Sequence, residues 1–154
     1  MTMPSADGVY YVYVDKGTEA FRDSVIDAID EWIMRSDIPF RSTQSAKKAN
    51  IVITQKQGKV DKDESKNIAT LGETFLDDKT LVKRVHIFIS RKECYECEVH
   101  ASQVVEHEMG HALGLNHVSN KHDLMAPIVT NSARFSKKDI ETANNNYYAV
   151  KNLV

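Results

Sequence analysis

The sequence predicts an α+β fold: a mixed sheet with helices on one side. Three observations predict it. Short β-branched and aromatic runs recur near residues 9–14, 50–54, 68–76 and 85–90; two stretches of helical period sit among them; and a capped amphipathic stretch follows residue 136. The order reads β-α-β-β-β-α-loop-α. The 154 residues suit a single domain over 1–154, on a prior of roughly 100–200 residues per domain. Such a chain buries about 70% of its unfolded surface and needs no disulfide or metal to fold. With 20 Lys plus Arg against 22 Asp plus Glu, the net charge is −2, which argues against nucleic acid or an anionic membrane as the main partner. No apolar run approaches the roughly 20 residues of a bilayer span.

Val9 to Val14 reads VYYVYV and predicts a strand buried on both faces, ended by a turn at Asp15-Lys16-Gly17. From Thr18 to Arg35, Phe21, Val25, Ala28, Ile29, Trp32 and Ile33 recur at helical spacing, with Thr18 as N-cap and a stop before Pro39. Asn50 to Thr54 is a second strand, and Gln55 to Lys66 reads as a solvated charged loop. Ile68 to Leu76 and Val85 to Ser90 are strands, with the turn Asp77-Asp78-Lys79 between them. Ala101 to Leu115 is a helix with Val104, Val105, Ala112 and Leu115 apolar. Residues 117–135 show little periodicity. Ser136 caps the last helix, with Asp139 at the place of a capping-box acid and Ile140, Ala143 and Tyr147 toward the core.

Residues Met1 to Gly8 have neither a basic start nor an apolar core, so they do not read as a signal peptide. Two cysteines stand as Cys94-Tyr95-Glu96-Cys97. With no second CxxC to complete a zinc site and no thioredoxin-like pattern around it, the pair reads as a local loop disulfide or two inert thiols.

The segment that carries chemistry is His107-Glu108-Met109-Gly110-His111-Ala112-Leu113-Gly114-Leu115-Asn116-His117. Histidines four apart lie one turn apart on one helix face, so His107 and His111 can share a Zn²⁺. Glu108 projects beside that metal, where it would take a proton from water. Gly114 would end the helix in the left-handed conformation, and His117 would swing back as third ligand. Three protein ligands leave a fourth position open, as in catalytic zinc sites.

HExxHxxGxxH resembles the zinc signature of the metzincin metalloproteases. Asp123-Leu124-Met125-Ala126-Pro127 looks like their Met-turn, which makes Met125 the methionine beneath the ligands. Within metzincins the chain is most similar to the matrixins. Trp32, Phe40 and Asn50 to Ile53 look like the first helix and the strand after it. Thr70 to Phe75 resembles the edge strand along which matrixins bind substrate, and Val85 to Phe88 the next strand. Arg134-Phe135-Ser136, Asp139, Ile140 and Tyr147 resemble the lead-in to the final helix. The resemblance implies a twisted mixed sheet with N-terminal, active-site and C-terminal helices. It also implies a cleft between an upper subdomain, about residues 1–117, and a lower one, about 118–154.

It further implies one catalytic zinc, a peptide or protein substrate lying near Leu71 and Gly72, a pocket wall at Pro127 and Val129, and an extracellular location. A monomer is the default expectation. The departures are specific. His86 matches a ligand of the matrixin structural zinc, but Glu73 stands where a second histidine belongs, so no structural zinc is expected. Asp61, Asp63, Glu64, Asp77 and Asp78 offer oxygens for calcium, though a solvated loop is the better reading. The latency cysteine motif is absent, Ala126 replaces a usual tyrosine, and Val129 replaces a usual aromatic. His100 and His122 read as surface residues. The expected activity is a zinc-dependent endopeptidase with Glu108 as general base. The alternatives are a zinc-containing binding module without turnover and a metzincin with one narrow protein substrate.

Overall fold

The computed structural model describes residues 1–56, 62–63, 68–69, 72–77, 84–90, 101–130 and 133–154. The VYYVYV run forms β1 (Tyr10–Lys16). Thr18 then caps α1 (Glu19–Arg35), its hydroxyl accepting the Phe21 N–H at 3.2 Å. β2 (Phe40–Ser42) follows Pro39, and β3 (Ile51–Lys56) follows a short loop. β4 (Lys62–Asp63) pairs antiparallel with β5 (Ile68–Ala69). β6 (Gly72–Asp77) and β7 (Arg84–Ser90) complete the main sheet. Its order is β2-β1-β3-β7-β6, with β6 antiparallel at the edge and the other pairs parallel. The sheet is therefore mixed, as the element order predicts.

The register sets Val12 beside Ile51 and Tyr10 beside Phe40. Strand alternation puts Tyr10, Val12, Phe40, Ile51 and Ile53 on one face. All five are buried in one core with Val25, Ala28 and Trp32 of α1, with Val104, Val105 and Met109 of α2 (Ala101–Ala112), and with Ala143 and Tyr147 of α3 (Lys137–Lys151). Trp32 fastens α1 to the active-site helix: its indole N–H donates to the Glu106 carbonyl at 3.1 Å, and its ring meets Phe135 edge-on at 4.9 Å. Asn146 of α3 donates to the Leu113 carbonyl at 2.9 Å, so the end of α2 is held from a second side. Among the described residues no helix is long and apolar enough to cross a membrane.

Several boundaries differ from the sequence reading. Asp15 and Lys16 continue β1 instead of turning, because β3 offers pairing up to Lys16 through a register shift after Val14. Only the first three residues of β1 are fully buried; Tyr13 and Val14 are half-buried. Ile33, counted into the apolar stripe, is 43% exposed, since Trp32 beside it takes the inward direction. Residues 55–56 and 62–63 are strand where a loop was expected, and the run 68–76 is divided into β5 and β6. Asp77 closes β6. The active-site helix stops at Ala112, three residues before Leu115. Leu71, Cys94, Cys97, His100, Asp61, Glu64 and Asp78 lie outside the described residues.

Candidate active site

α2 presents His107, Glu108 and His111 on a helix whose inner face is packed by Val104, Val105, Met109 and Ala112. Its end is built by glycine. Gly114 has φ +85°, its N–H bonds the His111 carbonyl at 3.0 Å, and the Leu115 N–H bonds the Gly110 carbonyl at 2.9 Å. These two bonds are the paired closure of a Schellman motif, which reverses the chain and returns His117 toward His111. Alanine at 114 would meet Asn146 Nδ2 and Met1 Cβ at 3.1 Å and would hold a left-handed backbone, which costs an L-residue about 1–2 kcal/mol. Gly114→Ala should therefore lose about 1–2 kcal/mol in urea unfolding. It should also displace His117 and lower kcat/KM by up to about 100-fold, the effect of a misplacement near 1 Å. A variant matching wild type in both measurements would show that this turn does not place the third histidine.

The three imidazoles converge. His111 Nε2 lies 3.2 Å from His107 Nε2 and 3.1 Å from His117 Nε2. These are not hydrogen bonds, because carbonyl acceptors fix the tautomers. His107 Nδ1 donates to the Leu124 carbonyl at 2.6 Å, and His111 Nδ1 donates to the Leu115 carbonyl at 2.8 Å. With the protons on Nδ1, the Nε2 lone pairs face one point. Around a tetrahedral Zn²⁺, with Zn–N about 2.0–2.1 Å, neighbouring nitrogens sit about 3.3–3.4 Å apart. The observed spacing fits that metal. Among the described residues, these three are the group that could hold one.

Burial keeps His107 neutral, pushing its pKa down to about 4 against the opposing Leu124 hydrogen bond. Desolvation and the neighbouring His111 also hold His117 below its ordinary value. Neutral imidazoles are the form that binds metal. Glu108 is buried one residue after the first histidine. Desolvation raises its proton affinity, and the Thr74 hydroxyl of β6, which donates to Glu108 Oε2, opposes that rise.

The turn after His117 lies beneath this group. The Ala126 N–H bonds the Asp123 carbonyl at 3.1 Å, the Met125 N–H bonds Asp123 Oδ1 at 2.8 Å, and the Val118 N–H bonds the Met125 carbonyl at 3.0 Å. Met125 is fully buried. A Cβ on Gly110 would lie 2.5 Å from Met125 Sδ, so any side chain there would force the buried thioether to shift. Of the other expected contacts, Gly72 is half-buried on the edge strand opposite Ile89, Pro127 is exposed and Val129 is half-buried. Glu73 pairs with Phe88, and His86 with Phe75. His122 is exposed, as expected.

Asp139 departs from its expected role. Ser136 does cap α3 by accepting the Asp139 N–H at 3.0 Å, but the Asp139 carboxyl is turned toward Asp123. Burial, then the hydrogen bond and charge of Asp123, push Asp139 up to about 7. Burial also pushes Asp123 upward, but donation from Asp139, the Met125 N–H and Ser136 outweighs it and holds Asp123 low. Opposite shifts of this kind are those of two acids sharing one proton, and among the described residues the buried Asp139 Oδ2 has no other hydrogen-bond partner. An acid raised in the fold is most favourable below its unfolded value and loses stability as pH rises toward 7. Asparagine copies the protonated acid. Asp139→Asn should melt higher than wild type at pH 8 and nearer to it at pH 5. A constant difference across that range would refute the shared proton.

The sequence reading missed Thr74, Gly110, the Leu115 and Leu124 carbonyls and the acid pair. Gly110 was visible inside the motif; the others are long-range or main-chain contacts without a local signal. Compared with known families, residues 10–148 match the family model described as matrixin, of the M10 peptidases. No curated protein matches the chain.

Proposed function

Because the chain belongs to the matrixin family, we propose that it is a zinc-dependent endopeptidase, with His107, His111 and His117 as metal ligands and Glu108 as general base. The observation that carries this reading is the convergence of three Nε2 atoms, two of them on tautomer-fixed rings, with a buried carboxylate next to the first of these histidines in the helix. Bound zinc supplies a Lewis acid that acidifies water and polarises the scissile carbonyl. The protein supplies the rest. Glu108 takes the proton of the attacking water and returns it to the leaving amine as the peptide C–N bond breaks. Met125 packs under the ligand face, and the Leu124 carbonyl orients His107. The peptide lies extended along β6, the edge strand among the described residues, pairing with main chain near Leu71 and Gly72 as an added strand. Pro127 and Val129 form part of a side-chain pocket. The enzyme acts as a monomer outside the cell, on a cleft between residues 1–117 and 118–154.

The test is cleavage of a diverse peptide library read by mass spectrometry, with chelator and with zinc restored. Cuts that vanish with chelator and return with zinc support the reading. A protein holding one zinc per chain that makes no cut overturns it and favours a binding module.

A further inference from the structure

The buried carboxylate of Glu108 has one hydrogen-bond partner among the described residues, and that partner stands on another element. Thr74 Oγ1 of β6 donates to Glu108 Oε2 and lies 3.2 Å from the Glu108 main-chain carbonyl. A hydroxyl carries one proton, and the charged oxygen is the stronger acceptor. Both contacts clasp the same residue, one at its backbone and one at its head. Thr74 is also strand-registered: it pairs opposite Ile87 in the antiparallel β6–β7 ladder, two residues from Gly72. Strand alternation turns its side chain to the α2 face, while the neighbouring Phe75 is exposed. The hydroxyl thus ties the base, through Oε2, to the strand proposed to hold the peptide.

We propose that Thr74 is a positioning residue that fixes the Glu108 carboxylate in the frame of the edge strand, so that base and bound peptide share one register. The proposal rests on the endopeptidase reading of the site. It assigns Thr74 no contact with substrate and no proton of the reaction. An alanine or valine here would leave a glutamate with free side-chain torsions in a desolvated space. A serine would keep the donor.

The test compares wild type, Thr74→Val, Thr74→Ser, Glu108→Ala and the double variant Thr74→Val/Glu108→Ala, each loaded with zinc. Thr74→Val should lower kcat by about 10- to 100-fold, with KM within about twofold, as expected for a misplaced catalytic group. Its zinc content and melting temperature should match wild type. Thr74→Ser should recover most of the rate. On the Glu108→Ala background the valine should change the residual rate no further, because its effect passes through Glu108. A second readout needs no turnover: the carbon-13 resonance of the Glu108 carboxyl should move in Thr74→Val and return in Thr74→Ser. An unchanged kcat, a loss confined to KM, an additive effect in the double variant or an unmoved resonance would overturn the proposal. If wild type makes no cut, the endopeptidase reading fails on its own, and the resonance still decides whether Thr74 holds Glu108.

Discussion

Glu108→Ala should lower kcat/KM by about 10²–10⁴-fold, leaving a slow residual cleavage, while zinc stays at one per chain. The carboxylate is buried and follows the first of the three histidines in α2, yet does not belong to their converging set. Removing it deletes a proton acceptor and leaves the ligands and their carbonyl partners intact. The loss should fall on kcat rather than KM, since a general base acts in the transition state. Melting of the zinc-loaded variant should stay within about 4 °C of wild type, the shift produced by roughly 1 kcal/mol in a chain of this size. Elemental analysis, steady-state kinetics on a cleaved peptide and thermal melts check the three statements. Cleavage at the wild-type rate would remove Glu108 from the mechanism. Loss of zinc in the variant would make it a ligand instead.

His111→Ala should fail earlier, at metal binding. His111 Nε2 is the atom close to both other ligands, so its removal leaves two nitrogens, one of them on an exposed side chain. Lewis-acid stabilisation is worth several kcal/mol, and about 1.4 kcal/mol is tenfold in rate, so activity should fall by roughly 10³-fold or more. The diagnostic is thermal. Chelator should lower the melting temperature of wild type, because zinc binds only the folded state, and should leave that of His111→Ala unchanged. A variant that retains one zinc per chain and melts lower with chelator would show that His111 is dispensable for the metal. Together the two variants separate chemistry from ligation: one keeps the ion and loses the reaction, the other loses both.

How much of this was legible in the sequence depends on the range of the interaction. α1 was readable because Thr18, the Phe21 to Trp32 stripe and Pro39 are all local signals. Ile33 was misassigned because periodicity gives an arc and packing decides where it ends. β2 was missed because three residues after a proline carry no strand pattern; its partner, Tyr10, lies thirty positions away. The grouping of the three histidines and the turn at Gly114 were readable because helix geometry and the left-handed turn fix their spacing. Thr74 was not, since nothing at residue 74 indicates that the fold places it against residue 108. Asp139 was half-read: its helix position was right, but only the folded chain shows that Asp123 faces it.

The two acceptors that set the ligand tautomers, the carbonyls of Leu115 and Leu124, are main-chain atoms. No side-chain substitution deletes them. Residues 115 and 124 can therefore drift among apolar types without altering which nitrogen of His107 or His111 faces the metal. Random mutation reaches those acceptors only by bending the backbone that carries them, and the positions able to do so include Gly114, whose φ other residues resist, and Asp123, whose carboxylate holds the Met125 N–H. The orienting layer of the site is thus buffered against sequence divergence. Its mutational fragility includes Gly114 and Asp123, neither of them among the three converging histidines.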